Sequence, residues 1–503
     1  MNHLFDQIQS AMPEASAPFA REPGRRTISY GDLLALSARF AGAITSLGVK
    51  PGDRVAVQVE KSIEALMVYL ACLRAGAVFL PLNTAYTPAE IEYFLTDAEP
   101  SLFLCDPSRA EALAPIAGKA GAKLKTLGAD GRGSMADHVA QADPTFRDVA
   151  RGPDDLAAIL YTSGTTGRSK GAMLSHENLA SNARALVSTW RFTSRDVLIH
   201  ALPIFHTHGL FVATNVILCS GASMIFLPKF DASQTLSLMR EATTMMGVPT
   251  FYVRLVDHPG LTREAAAGMR LFISGSAPLL AETHRAFEAK TGHAILERYG
   301  MTETNMNTSN PYDGDRIAGT VGFPLPGVEL RITEPETGAL IAEDEIGMIE
   351  VRGANVFKGY WRNPEKTAAE FRADGFFITG DLGKRDRRGY VHILGRGKDL
   401  IITGGYNVYP KEIETEIDAM PGVMESAVIG LPHKDFGEGV TAVVVPVAGA
   451  ALSEAQILAQ LEGRLAKFKQ PKRVMIVPEL PRNTMGKVQK NLLREQYSSL
   501  YQA

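Results

Sequence analysis

Residues 53–82 read DRVAVQVEKSIEALMVYLACLRAGAVFLPL. The first seven form an apolar-rich strand. From Ser62 to Ala75 the chain lacks a helix breaker and is long enough for a buried helix. Gly76 then supplies the left-handed stop that ends many helices. VFLPL follows as a second strand. A strand, a helix and a strand within about thirty residues form a βαβ unit, whose strands lie parallel because the helix carries the chain back. Working outward, residues 29–47 begin with Ser29 and Asp32 in the pattern of a capping box. They continue with Leu33, Leu36, Phe40, Ile44 and Leu47 on one helical face. On the other side, Thr87 is an N-cap with Pro88 first in the helix and Glu90 third, and SLFLCD is the next strand. This alternation predicts an α/β fold.

The pattern changes after residue 346. IGMIEVRG and YVHILGRG are short strands between glycine turns, which predicts an antiparallel or barrel-like subdomain. From Lys398 the chain reads as a compact α+β unit of about a hundred residues, an ordinary domain size. The expected architecture is a large N-terminal domain of mainly parallel, helix-covered sheets plus a small barrel-like subdomain (1–397). A small α+β C-terminal domain (398–503) follows.

With 503 residues, one hydrophobic core does not suffice. Net charge is -3, so no overall field draws nucleic acid, and any anion site must be local. Cys72, Cys105 and Cys219 form no CxxC pair, which fits a reducing compartment. Residues 1–23 lack a basic start followed by an apolar run, so no signal peptide is expected and a cytoplasmic location is. Residues 209–228 carry no charge and are long enough to cross a bilayer. The CSGAS break inside them favours a buried helix, a turn and a buried strand instead.

Several short stretches carry chemistry. YTSGTTGRSKG (161–171) is rich in Gly, Ser and Thr and holds Lys170; such a loop after a strand can wrap phosphates with N–H and hydroxyl donors. It is not a Walker A loop. That pattern needs Gly-Lys five residues after a glycine, and Gly164 and Gly167 are followed at that distance by Ser169 and Ala172. YGMTET adds the carboxylate Glu303, a candidate Mg²⁺ ligand beside phosphates. TGDLG sets Asp381 between glycines, apt for ribose hydroxyls. GRGKD brings Arg396 and Lys398, and PRNTMGKVQK brings Lys487.

The ordered set YTSGTTGRSKG, LPIFHTHG, SGSAPL, ERYGMTE, TGDLG, GRGKDLIITGGYNVYPKEIE and PRNTMGKVQK resembles the adenylate-forming superfamily of acyl-CoA synthetases, adenylation domains and luciferases. The resemblance covers essentially the whole chain. FHTHGLFVATN, GVPTFYVRL and RYGMTETNMNTSNPYDGDR are similar in particular to its malonyl-CoA synthetase branch. It departs from the commoner phosphate loop at Ser169, where proline is usual. The resemblance implies a soluble enzyme that joins malonate to coenzyme A through an acyl-AMP, using ATP and Mg²⁺.

By the same resemblance, Thr162, Ser163, Gly164, Thr165, Thr166, Gly167 and Lys170 hold the pyrophosphate end of ATP. Gly275, Ser276, Ala277, Glu297, Arg298, Tyr299 and Gly300 line the nucleotide site, with Tyr299 stacked on adenine. Thr302 binds the α-phosphate, Glu303 the metal, Asp381 the ribose with Arg396 nearby, and His206 lies near the substrate carboxylate. Lys487 bridges the reacting carboxylate and phosphate. Lys398 is the hinge about which the C-terminal domain rotates, bringing Gly404 and Gly405 to the pantetheine. The implied Lys487 is mobile enough for a lysine acetyltransferase to modify.

A small dicarboxylate needs a buried cation for its distal carboxylate, because an unpaired buried charge is costly. Arg254, in an otherwise apolar stretch, is the candidate, with Thr207, His208, Ser276 and Met306 completing the pocket. Lys467, Lys469, Lys472 and Arg473 form a local basic cluster, which either meets the CoA phosphates or is a solvated face. The alternatives are a ligase for another small acid, such as methylmalonate, a short monocarboxylate or an aryl acid, and a non-catalytic nucleotide sensor.

Overall fold

The structure is a computed structural model and describes residues 1–162, 169–404, 406–462, 464–483 and 486–501. The stretch 53–82 folds as its pattern predicts. Arg54–Gln58 and Val78–Pro81 pair in parallel, with the helix Ile63–Ala75 between them in sequence. Ser62 caps that helix through the Ala65 amide, and Gly76 closes it at φ 69°. Apart from Glu64 and Arg74 the helix is apolar all round and is buried almost throughout, as such a helix must be. Its cluster draws on two sheets at once, through Val55 and Leu102 from one and Leu198 and Met224 from the other.

The first sheet has six strands, in the order Lys123–Thr126, Leu102–Cys105, Arg54–Gln58, Val78–Pro81, Leu156–Thr162 and Lys170–Ser175. The second has nine and is parallel through its centre, where Leu271–Ser274, Thr244–Gly247, Val197–His200 and Ser223–Phe226 lie. A four-stranded antiparallel sheet follows, Val328–Thr333, Gly347–Gly353, Phe377–Arg385 and Val391–Arg396. The C-terminal part builds its own five-stranded sheet around the long hairpin Val423–His433 and Gly437–Pro446. Lys398 lies in the short turn Gly397–Asp399, between the last strand of one sheet and Ile401–Thr403 of the next.

The apolar run 209–228 resolves into a π-helix His208–Thr214, a helix Asn215–Ser220, a left-handed Gly221 at φ 66° and the strand Ser223–Phe226. Among the described residues no helix is long and apolar enough to cross a membrane. The stretch after the Gly/Ser/Thr loop does not enter a helix directly. Lys170–Ser175 pairs antiparallel with Leu156–Thr162, so the loop closes a hairpin, and the helix begins only at His176 under a Ser175 capping box. The described residue that follows the loop is therefore in a strand, not at a helix N-terminus.

Candidate functional site

Ser163, Gly164, Thr165, Thr166 and Gly167, expected to hold phosphate, lie outside the described residues, as does Gly405. The flanks of the loop are defined. Tyr93, on the helix Pro88–Ala98, donates its hydroxyl to the Ser169 carbonyl at 2.7 Å. At the other flank Thr162 reaches the carboxylate of Glu303 at 3.4 Å. Glu303 is buried and forms no ion pair among the described residues. Its Oε1 lies 3.1 Å from the hydroxyl of Tyr360, which donates to Glu370 at 2.6 Å. Lys170 sits 3.6 Å from Glu370 and lies over the Tyr360 ring. Burial raises the pKa of Glu303 above the usual carboxylate range. Among the described residues no cluster of three His, Cys, Asp or Glu could cage a metal. A lone buried carboxylate among oxygen donors is what Mg²⁺ takes when phosphates supply its remaining ligands, so Glu303 fits that ion.

Thr302 lies between the strand Leu296–Met301 and Glu303, in a turn closed by the Thr304 amide on the Met301 carbonyl. On the ribose side, Asp381 and Arg396 face each other across the hairpin of Phe377–Arg385 and Val391–Arg396. Arg396 Nε lies 2.7 Å from Asp381 Oδ1, and Tyr299 donates its hydroxyl to Oδ2 at 2.5 Å. A carboxylate accepts about four hydrogen bonds, so Asp381 retains capacity for a diol. The phenol of Tyr299 is tied down, which fixes its ring.

Lys487 reaches this cluster from the C-terminal segment. Gly486, at φ 75°, packs on Thr250 so closely that a Cβ there would stand 3.2 Å from the threonine methyl. Lys487 keeps contact with solvent along its side chain, while protein closes around its ammonium. That burial, then Arg396 and Lys398, hold its pKa below the ordinary lysine value, against the pull of Asp381 and Asp399.

Beside Lys487 lies a second set of groups. Arg298 is buried, and its Nε and Nη2 have no hydrogen-bond partner among the described residues. Its guanidinium occupies the place where a side chain at position 275 would be: a Cβ on Gly275 would come within 2.3 Å of Arg298 Cζ. Burial pushes the Arg298 pKa down to about 9. His208 is buried and His206 partly so. Burial first, then the charge of Arg298, lowers both imidazoles, His206 to about 4 and His208 well below its usual value, so both are neutral near pH 7. Ser276 holds His208 Nδ1 at 3.1 Å from a left-handed backbone at φ 75°, a strain that non-glycine residues store mainly at functional sites. His208 Nε2 and Thr207 Oγ1 are buried without partners among the described residues. Met306 is buried, with its methyl against Gly300.

One expected assignment changes. Arg254 is exposed. The helix Pro249–Asp257 buries Tyr252 and Leu255, and Arg254 falls on another face, lining a cleft of about 510 Å³ with Lys61, Phe205, Phe251 and Arg482. The buried, unpaired cation is Arg298. Glu297, expected at the nucleotide, has its carboxylate already engaged. Successive strand residues point to opposite faces, and its carboxylate is taken by the Gly319 amide at 3.2 Å and by His284. In the C-terminal part, Gly404 forms a hairpin turn against Phe436. Of the basic cluster, Lys469 pairs with Glu412, Arg473 with Glu454, and Lys472 lies over the Phe436 ring. Ala277 follows Ser276 in the same partly exposed turn.

Residues 5–361 match the AMP-binding enzyme family and residues 412–487 the AMP-binding enzyme C-terminal domain. The chain is 35% identical to a malonate–CoA ligase of Arabidopsis thaliana, over 98% of this chain and 90% of that protein. It is 65% identical to MatB from Rhodopseudomonas palustris, each chain covered over 99%. The ATP-bound structure of that protein superposes with a TM-score of 0.98 and the apo structure with 0.87.

Proposed function

The chain belongs to the AMP-binding enzyme family, and on that premise we propose that it joins malonate to coenzyme A, with ATP cleaved to AMP and pyrophosphate. The observation that carries the choice of acid is Arg298. A buried guanidinium with two unpartnered nitrogens is costly unless an anion fills the space before it. A monocarboxylate has one carboxylate, which the reaction consumes. A malonate has a second, and a guanidinium grips it in a bidentate way.

In the first half-reaction an oxygen of one malonate carboxylate attacks the α-phosphorus and pyrophosphate leaves, giving malonyl-AMP. Two anions must meet, so positioning and placed positive charge do most of the work. Lys487 stands between the groups read as ribose site, Asp381 with Arg396, and His206, and it lies where it can neutralise the attacking carboxylate and the α-phosphate together. Thr302 donates to the α-phosphate, and Lys170 with the 163–168 loop steadies the leaving pyrophosphate. Glu303 would hold Mg²⁺, which neutralises phosphate charge when bound. In the second half-reaction the CoA sulfur attacks the acyl carbonyl and AMP leaves.

If Lys487 bridges the carboxylate and phosphate in the first half-reaction, the C-terminal domain must then turn away to let the thiol reach the acyl carbonyl. Lys398, in its short turn between two sheets, is the proposed hinge; a few such residues can absorb a domain rotation. The two TM-scores against one relative, with equal coverage, support two domain arrangements in that family. Acetylation of Lys487 by a lysine acetyltransferase would remove its charge and stop the first half-reaction alone.

Pyrophosphate release with ATP, Mg²⁺ and CoA across malonate, methylmalonate, succinate, acetate, octanoate and a cinnamate tests the reading. Preference for malonate or methylmalonate supports it. Preference for a monocarboxylate sinks it. Two variants refine it. Glu303→Gln raises the Mg²⁺ concentration needed for half-maximal rate by about tenfold or more, because one charged ligand of few is lost; an unchanged Mg²⁺ titration removes Glu303 from the metal. Arg254→Ala raises the malonate KM several-fold with a smaller change in kcat, as for an exposed charge that guides rather than grips. Equal losses in kcat and kcat/KM would instead put Arg254 against the reacting acid.

A further inference from the structure

The wall of the acid pocket is held from behind by side-chain amides that none of the motifs contains. The helix His176–Thr189 carries Asn178 and Asn182, four residues apart and therefore on one face. Both are buried. Asn182 donates Nδ2 to the Met306 carbonyl at 2.8 Å and accepts from the Met306 amide on Oδ1 at 3.2 Å. This pair of bonds replaces a strand neighbour along that edge. Asn178 donates to the carbonyls of Ala354 and Val356 at 2.8 and 2.7 Å, which fixes the segment between them. Asn355, in that segment, is buried and donates to the Thr304 carbonyl at 2.7 Å and the Met306 carbonyl at 3.3 Å. The Phe357 amide adds a bond to the Glu303 carbonyl at 2.8 Å.

Residues 303–306 thus run between two sets of buried donors. Asn305, among them, has φ 51°, a left-handed conformation that must be held by its surroundings. Buried amides cost desolvation and repay it only through bonds made in full, and Asn355 Oδ1 has no partner among the described residues, so Asn355 serves position more than stability.

We propose that Asn182 and Asn355 are positioning residues for the acid site. They clamp the Met306 backbone so that its methyl stays against Gly300, and this sets how large an acid is accepted. The inference rests on the pocket assigned above under the proposed function. Loss of either amide lets Met306 move and opens room for a substituent on the central carbon of a malonate. One methylene in an apolar pocket is worth about 10- to 200-fold in kcat/KM.

The test uses Asn182→Ala and Asn355→Ala in the full chain. kcat and KM are measured for malonate, methylmalonate and ethylmalonate, with ATP affinity and thermal midpoint alongside. The expected result is a rise of about tenfold in the ethylmalonate-to-malonate ratio of kcat/KM, with ATP affinity unchanged. An unchanged ratio with a lowered midpoint makes the amides structural only and overturns the inference. If Asn182→Ala does not fold, Asn182→Asp keeps the acceptor for the Met306 amide, drops the donor to its carbonyl, and is read the same way. Absence of malonate turnover in the unaltered protein overturns the pocket reading itself and is seen before any variant is made.

Discussion

Lys487→Ala lowers the formation of malonyl-AMP by about 10²- to 10³-fold, the usual loss when one placed charge is removed from a reacting centre. The same variant, given malonyl-AMP and CoA, forms the thioester at close to the normal rate. Both follow from the position of the side chain. Lys487 lies within electrostatic reach of Asp381, Arg396 and His206, and under the proposed function it acts in the first half-reaction and leaves for the thiol to approach. Single-turnover measurements on the separate half-reactions check this. Equal losses in both would mean that Lys487 does not leave, and the hinge at Lys398 would fall with it. A pH dependence accompanies the loss. The lysine works as a cation, and its pKa lies below the ordinary value. The first half-reaction therefore declines as pH rises through that lowered pKa, and this limb disappears in Lys487→Ala.

Arg298→Ala is expected to lower kcat/KM for malonate by about 10³-fold. Breaking a buried charge pair by removing one partner costs about 3–5 kcal/mol. Turnover of acetate, which has no distal carboxylate, falls far less or rises, and ATP affinity is unchanged. The ratio between the two acids is the readout. A parallel fall for both would make Arg298 a structural cation beneath Gly275 and return the choice of acid to the cleft beside Arg254.

The outline of the fold was legible because its signals are local. Ser29 with Asp32, and Thr87 with Glu90, form capping boxes in the structure. The helices they start run Tyr30–Ser46 and Pro88–Ala98, within a residue or two of their reading from side-chain chemistry. A cap acts between residues three apart, so the chain states it directly. The hairpin after the Gly/Ser/Thr loop was less legible. Gly171, Ala172, Met173 and Leu174 are too few to display a period, and the strong cap at Ser175 draws the eye to the helix. Only their pairing with Leu156–Thr162 makes them a strand.

The acid pocket shows the limit more sharply. Arg254 stands alone in an apolar stretch, whereas Arg298 follows Glu297 within the ERYGMTE motif. One lies on a one-sided helix and turns outward. The other lies on a strand and turns inward onto Gly275, whose missing side chain leaves the space. Periodicity narrows the choice of face, but only the neighbouring elements decide which face is inside. Asn182 and Asn355 are harder still, because their partners are backbone groups more than a hundred and nearly fifty residues away. What the sequence by itself determined is the order of α/β elements, the two-part organisation and, through its motifs, the adenylate-forming chemistry, because these depend on near neighbours and on residue types. The tertiary structure alone decided which cation is buried beside His206 and His208, where Lys487 stands, and what holds Met306. Those depend on distances between segments far apart in the chain, and no local preference encodes them.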